Sequence, residues 1–86
     1  MANYKILIKS SAAKELAKLP KKDIQRITSK IKVLSSNPRP YGCEKLSVQE
    51  RYRIRQGKYR IVYSIEDDIL IVYVIKIAHR SEVYKK

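Results

Sequence analysis

The chain has 86 residues with 20 Lys and Arg against 8 Asp and Glu, a formal net charge of +12 with its one histidine neutral. A chain this short makes one domain, spanning 1–86, in which folding buries about 60–65% of the unfolded surface; a second catalytic domain or a deep cofactor cleft has no room. Hydrophobic content of 44% with two Gly and three Pro argues against disorder, and the uncompensated charge, which opposes compaction, points to a polyanionic partner, nucleic acid first.

Tyr4-Lys-Ile-Leu-Ile-Lys9 reads as a strand, and Ser10-Ser11 after it offer hydroxyls to cap a helix. Ala12, Ala13, Leu16 and Leu19 recur at helical spacing over about two turns, which Pro20 stops because it lacks an N–H for the ladder. Ile24, Ile27, Ile31 and Leu34 form one face of a second helix that ends at Ser35-Ser36-Asn37-Pro38, so Pro20 joins the two helices by a tight turn. Arg39-Pro40-Tyr41-Gly42 reads as a loop, and the stretch from Cys43 to Val48 as irregular chain or a short edge strand. Cys43, the lone cysteine, has no thiol partner for a disulfide or a zinc site, and reads as a packing residue in a reducing cytoplasm.

Three apolar-rich stretches follow, Tyr52–Arg55, Tyr59–Glu66 and Ile69–Ala78, separated by Gln56-Gly57-Lys58 and by Asp67-Asp68, both short enough for hairpins. The longest apolar run, Ile69 to Ile75, is too short to span a bilayer, and the N-terminus lacks the features of a signal peptide, so a soluble cytoplasmic protein with no membrane partner is expected. The fold class is α+β: an N-terminal strand and a two-helix hairpin packed on an antiparallel sheet of about four strands.

With Gln56-Gly57 as a two-residue turn, Ile54 faces Tyr59, Arg53 faces Arg60 and Tyr52 faces Ile61. Alternation then puts Tyr52, Ile54, Tyr59, Ile61, Tyr63 and Ile65 on a core face beneath the helices, and Arg51, Arg53, Arg55 and Arg60 on the other. Like charges opposite one another on a sheet repel, so Arg53 against Arg60 gains nothing unless an anion lies between them. Residues 51–60 hold five basic residues and no acid, with Arg51 and Lys58 widening the patch. Lys22, Arg26 and Lys30, spaced four apart, form a second basic stripe on the second helix suited to an RNA surface. With Asp67-Asp68 as the next turn, Ile71, Tyr73, Ile75 and Ile77 fall on the arginine face, leaving an apolar edge for a partner protein to cover.

The run His79-Arg80-Ser81-Glu82-Val83-Tyr84 follows the last strand. Cleaving RNA by its own 2′-hydroxyl needs a base for that proton, cations to stabilise the phosphorane, and a donor for the departing 5′-oxygen. Arginine cannot be the base but can neutralise the phosphorane through bidentate bonds; His79 and Tyr84 are the titratable candidates. One His and scattered acids make no metal-ligand set, so neither metal nor cofactor is expected.

Tyr52-Arg53-Ile54-Arg55, Tyr59-Arg60-Ile61-Val62-Tyr63 and the closing Arg80-Ser81-Glu82-Val83-Tyr84 together resemble the RelE toxins of the RelE/ParE superfamily, whose fold is of microbial ribonuclease type. The resemblance covers nearly the whole chain. It implies a ribosome-dependent mRNA interferase that cleaves the messenger in the ribosomal A site, is neutralised by a RelB-like antitoxin, and meets operator DNA only through the antitoxin complex. The family's cleavage residues fall on Arg53, Arg55, Arg60 and Tyr84, with Arg80 in the C-terminal basic position and His79 found in many relatives. On this reading Tyr84 takes the proton, with His79 the other candidate, Arg53 and Arg60 stabilise the phosphorane, and Arg80 protonates the leaving oxygen or orients the phosphate. Some relatives carry lysines where this chain has Arg53 and Arg55, and a C-terminal segment two residues longer. The alternative within the superfamily is a ParE-like inhibitor of DNA gyrase without ribonuclease activity.

Overall fold

The computed structural model describes residues 3–46 and 51–79. Strand β1 (Lys5–Ile8) leads into helices α1 (Ser10–Ala17) and α2 (Lys21–Ser36), followed by strands β2 (Glu44–Lys45), β3 (Arg51–Gln56), β4 (Tyr59–Glu66) and β5 (Ile71–His79). The strands form one sheet in the order β1-β5-β4-β3-β2. All neighbours are antiparallel except β1, which runs parallel to β5. The expected α+β architecture is present, with β1 joining the sheet as a fifth strand at its edge.

Both helices lie on one face of the sheet. Ala12, Ile27, Ile31 and Leu34 meet Tyr52, Ile54, Ile61, Tyr63 and Ile65 there, and Val72, Val74 and Ile77 of β5 complete the core. The parity argument for the core face therefore holds, with Tyr59 packed at its margin. Pro20 stands immediately before α2, and its carbonyl accepts the N–H of Ile24 at 3.0 Å. The expected cap at Ser10-Ser11 is not used: Lys9 is the cap position, with no side-chain bond. The backbone of Lys9 serves strand and helix at once, its N–H donating to Val74 in the sheet and its carbonyl accepting from Ala13, so the helix begins as the strand ends.

The two hairpin turns differ from expectation. Gln56 pairs with Tyr59, so the β3–β4 turn is Gly57-Lys58, with Gly57 at φ +61. Glycine at the first central position with a negative φ at the second is the type II′ arrangement, whose twist matches a hairpin. The register is therefore displaced by two: Ile54 faces Ile61, Tyr52 faces Tyr63, and Arg60 faces Arg55, not Arg53. A slip of two preserves the faces and changes only the opponents. The β4–β5 turn takes in residues 67–70, with Leu70 left-handed at φ 55, so Glu66 pairs with Ile71 and Ile69 is left outside the strand.

A bulge then alters β5 itself. Tyr63 pairs with Val74 but Val62 pairs with Lys76, leaving Ile75 as an extra residue. Ile71 and Tyr73 lie on the arginine face as expected, but the bulge reverses the alternation and Ile77 turns into the core at 3% exposure. Glu15 of α1 braces this point. Its carboxylate accepts the backbone N–H of Ile77 and the ammonium of Lys76, each at 3.0 Å. On the arginine face, Leu7 of β1 stands beside Tyr73, leaving both partly exposed.

A polar latch fastens the loop after α2. The Tyr63 hydroxyl donates to the Pro38 carbonyl at 2.7 Å in the interior. Arg39 forks onto Asp67 at 2.9 and 3.4 Å, donates from Nε to the Tyr52 hydroxyl at 3.1 Å, and the same carboxylate accepts the Tyr4 hydroxyl at 2.8 Å. Arg39 and Tyr4 hold the Asp67 carboxyl below its ordinary range, while burial, with Cys43 beside it, pushes the Tyr63 phenol upward and keeps it neutral. Tyr63→Phe leaves the Pro38 carbonyl without its donor and is expected to lower unfolding free energy by about 1–3 kcal/mol in urea denaturation, with an unchanged fold by circular dichroism.

Candidate functional site

The outer face of the sheet concentrates cationic side chains by strand alternation. Arg53 and Arg55 of β3 and Arg60 of β4 line an open cleft of about 320 Å³ together with Glu44 and Gly42. Arg60 is held most firmly, at 4% exposure, because β4 is the middle strand and its β5 partner is the small Ala78. Arg55, its cross-strand opponent on the other side, is exposed. The repulsion argued for Arg53 and Arg60 thus falls on Arg55 and Arg60, where the same physics applies.

Glu44 is the residue that sequence reasoning missed. Strand β2 pairs Glu44 with Arg53, and the carboxylate accepts a short charge-assisted bond from the Arg53 guanidinium. That bond, and then the charges of Arg53, Arg60 and Arg55, hold the Glu44 carboxyl below its ordinary range, so it is ionised at neutral pH. The sequence signal was present in weak form: an acid two residues after Gly42 and at the start of the possible edge strand. Gly42 adopts φ +96, a left-handed value that a side chain would strain, and this turns the chain from the latched loop into β2. The latch at Pro38 and Arg39 therefore determines where Glu44 enters the cleft.

His79 lies elsewhere. Pairing with Tyr59 puts it on the helix side of the sheet, edge-on to the Tyr59 ring with centroids 5.7 Å apart. There it lines a cavity of about 430 Å³ with Glu15, Lys18, Leu19, Tyr59 and Ile77, across the sheet from the arginines. The bulge at Ile75 is the reason, since one extra residue exchanges the faces of everything after it. Arg80 and Tyr84 lie outside the described residues. Arg51 is exposed on the outer face opposite Ser64, and Lys58 is exposed in the hairpin turn. Lys22, Arg26 and Lys30 are on α2, remote in sequence from the cluster, with Lys30 partly buried. Among the described residues, no group of three or more His, Cys, Asp or Glu is gathered for a metal, and no helix is long and apolar enough to cross a membrane.

Chemically, the cleft can receive an anion with delocalised charge. Guanidinium forks match phosphate oxygens, strands β3 and β4 hold all three forks at fixed spacing, and an ionised carboxylate stands among them. Comparison with known proteins identifies a toxin fold. The family model for the ParE toxin of the type II toxin-antitoxin system, parDE, matches residues 6–84. The chain is 32% identical over 84 residues to toxin RelE of Mycobacterium tuberculosis, covering 95% of this chain and 87% of that one. In structure it is similar to a chain of the archaeal RelE–RelB complex from Pyrococcus horikoshii OT3, with TM-score 0.82, 27% identity, and coverage of 91% of this chain and 96% of that one. It is likewise similar to a chain of the toxin–antitoxin complex RelBE2 from M. tuberculosis, with TM-score 0.83, 25% identity, and coverage of 94% and 95%.

Proposed function

Since the chain belongs to the RelE-type toxins of the RelE/ParE toxin–antitoxin superfamily, we propose that it is an mRNA interferase that cuts the messenger in the ribosomal A site. The observation that carries this reading is the convergence of Arg53, Arg55 and Arg60 with an ionised Glu44 on one open cleft. In the proposed reaction the 2′-oxygen loses its proton and attacks the adjacent phosphorus. The bond from phosphorus to the 5′-oxygen breaks, and that oxygen takes up a proton, leaving a 2′,3′-cyclic phosphate and a free 5′-hydroxyl. Arg53 and Arg60 stabilise the phosphorane and Arg55 holds a flanking phosphate oxygen. Arg80 is assigned to the leaving oxygen. Glu44 joins Tyr84 as a candidate for the first proton; His79, set on the far face of the sheet, drops behind both.

A RelB-like antitoxin is the proposed partner, as the Pyrococcus relative is found with RelB. Acidic and apolar side chains on it would match the arginines and the neighbouring strip at Leu7 and Tyr73. The cytoplasm is the proposed site of action.

The test is a programmed ribosome with a defined A-site codon. Cleavage within that codon, ending in a cyclic phosphate and requiring no added metal, is the expected result. Intact messenger together with trapped gyrase–DNA complexes would overturn it in favour of the ParE-like activity that the name of the matching family model also brings forward.

A further inference from the structure

A second groove lies on the opposite face, between α2 and the tip of the β3–β4 hairpin. It measures about 290 Å³ and is lined by Arg26, Ser29, Lys30, Val33 and Gln56. The four helix residues are spaced i, i+3, i+4 and i+7, so they form one stripe along α2, and Gln56 supplies the facing wall from the strand that ends in the turn. Every polar group in this lining can donate a hydrogen bond: a guanidinium, an ammonium, a hydroxyl and a side-chain amide. None is a carboxylate. Val33, 44% exposed, gives the groove an apolar patch of its own.

The geometry points to a docking subsite for the sugar–phosphate backbone of folded RNA, with a phosphate between Arg26, Lys30, Ser29 and Gln56 and a ribose against Val33. This rests on the ribosomal reading above and deepens it. An acidic protein would also meet cations here, but the groove is donor-rich on both walls and offers one small apolar contact. A protein anchor needs a larger apolar seat, whereas backbone recognition of RNA uses charge and donors at regular spacing. Lys58, two residues after Gln56, continues the basic surface round the hairpin tip towards Arg55. One RNA-facing rim would then join the groove to the cleft.

Ser29→Glu puts a carboxylate inside the groove, and Ser11→Glu makes the same charge change at an exposed position of α1. Equilibrium binding to ribosomes with an empty A site is measured for both, with thermal unfolding to verify folding. Ser29→Glu is expected to weaken binding at least tenfold and Ser11→Glu less than twofold. Lys30→Ala is expected to reduce the slope of log affinity against log salt by about one unit. Equal weakening by the two glutamates would overturn the subsite in favour of general attraction; so would unchanged ribosome binding with weakened binding of the antitoxin. Because the readout is binding, a toxin that binds through the groove yet leaves the messenger intact would refute the cleavage reading and not this one.

Discussion

Glu44→Gln is expected to slow single-turnover cleavage on the ribosome by about 100-fold or more while tightening binding of the messenger-loaded ribosome. General-base assistance contributes about 10²–10⁴ in rate, which sets the scale. The opposite signs come from the cleft itself. Glu44 is a negative charge among Arg53, Arg55 and Arg60, so in the ground state it competes with the incoming phosphate for the same cations. Glutamine removes that competition, and its amide oxygen can still accept from Arg53. A purely structural role would make binding and rate fall together. The pH dependence separates Glu44 from Tyr84. The Arg53 guanidinium keeps the Glu44 carboxyl below its ordinary range, so a carboxylate base is fully ionised across about pH 6–8 and gives a flat profile there. A phenol base would raise the rate about tenfold per pH unit over the same interval, because its ordinary pKa lies near 10. A rising profile abolished by Tyr84→Phe would remove Glu44 from the role.

Arg60→Ala should lower single-turnover cleavage at least tenfold, at about 1.4 kcal/mol of barrier per decade, with ribosome affinity nearly unchanged. The side chain is 4% exposed in the middle strand, so it adds little to the outer surface that meets the ribosome and much to the fixed field of the cleft. Alanine also leaves space beside Ala78, and Arg60→Lys guards against reading a folding defect as a catalytic one. Lysine keeps the charge and most of the packing but loses the planar fork, so it should retain more activity than alanine and fall short of the wild type. Full activity in Arg60→Ala would displace this residue from the reaction. The pairing of Arg55 with Arg60 adds a check on stability. Arg55→Thr relieves a cross-strand repulsion at an exposed position, so a raised unfolding temperature with slower cleavage would mark this pair as kept for function.

The chain's alternation was enough to read the core face and the arginine face, because both depend on parity and a register error of two leaves parity intact. The turns were harder for a local reason. Gly57 fits the first central position of a type II′ turn, which moves the hairpin on by one residue in each strand direction, and Asp67 is drawn into a four-residue turn by Arg39 and Tyr4, which are 28 and 63 positions away. The bulge at Ile75 has no signal of its own in a run as uniformly apolar as Ile69–Ile75. Its brace, Glu15, is 62 residues from Ile77. Glu44 escaped notice because its placement depends on a two-residue strand that exists only once β3 is there to pair with it.

Ile75 also has a meaning for comparing relatives by their letters. Beyond Val74 the strand keeps a bulged frame, so a homologue of the same length that held its residue 75 in the ladder would align without a gap and yet present the opposite set of side chains from position 76 onward, whereas one lacking the residue altogether would keep the faces seen here. An aligned histidine there would be a neighbour of the arginines in one protein and of the helices in the other. Equivalence of the C-terminal residues between such chains has to be judged from the presence or absence of the bulge, since absorbing residue 75 into the ladder exchanges the faces beyond it while deleting it does not.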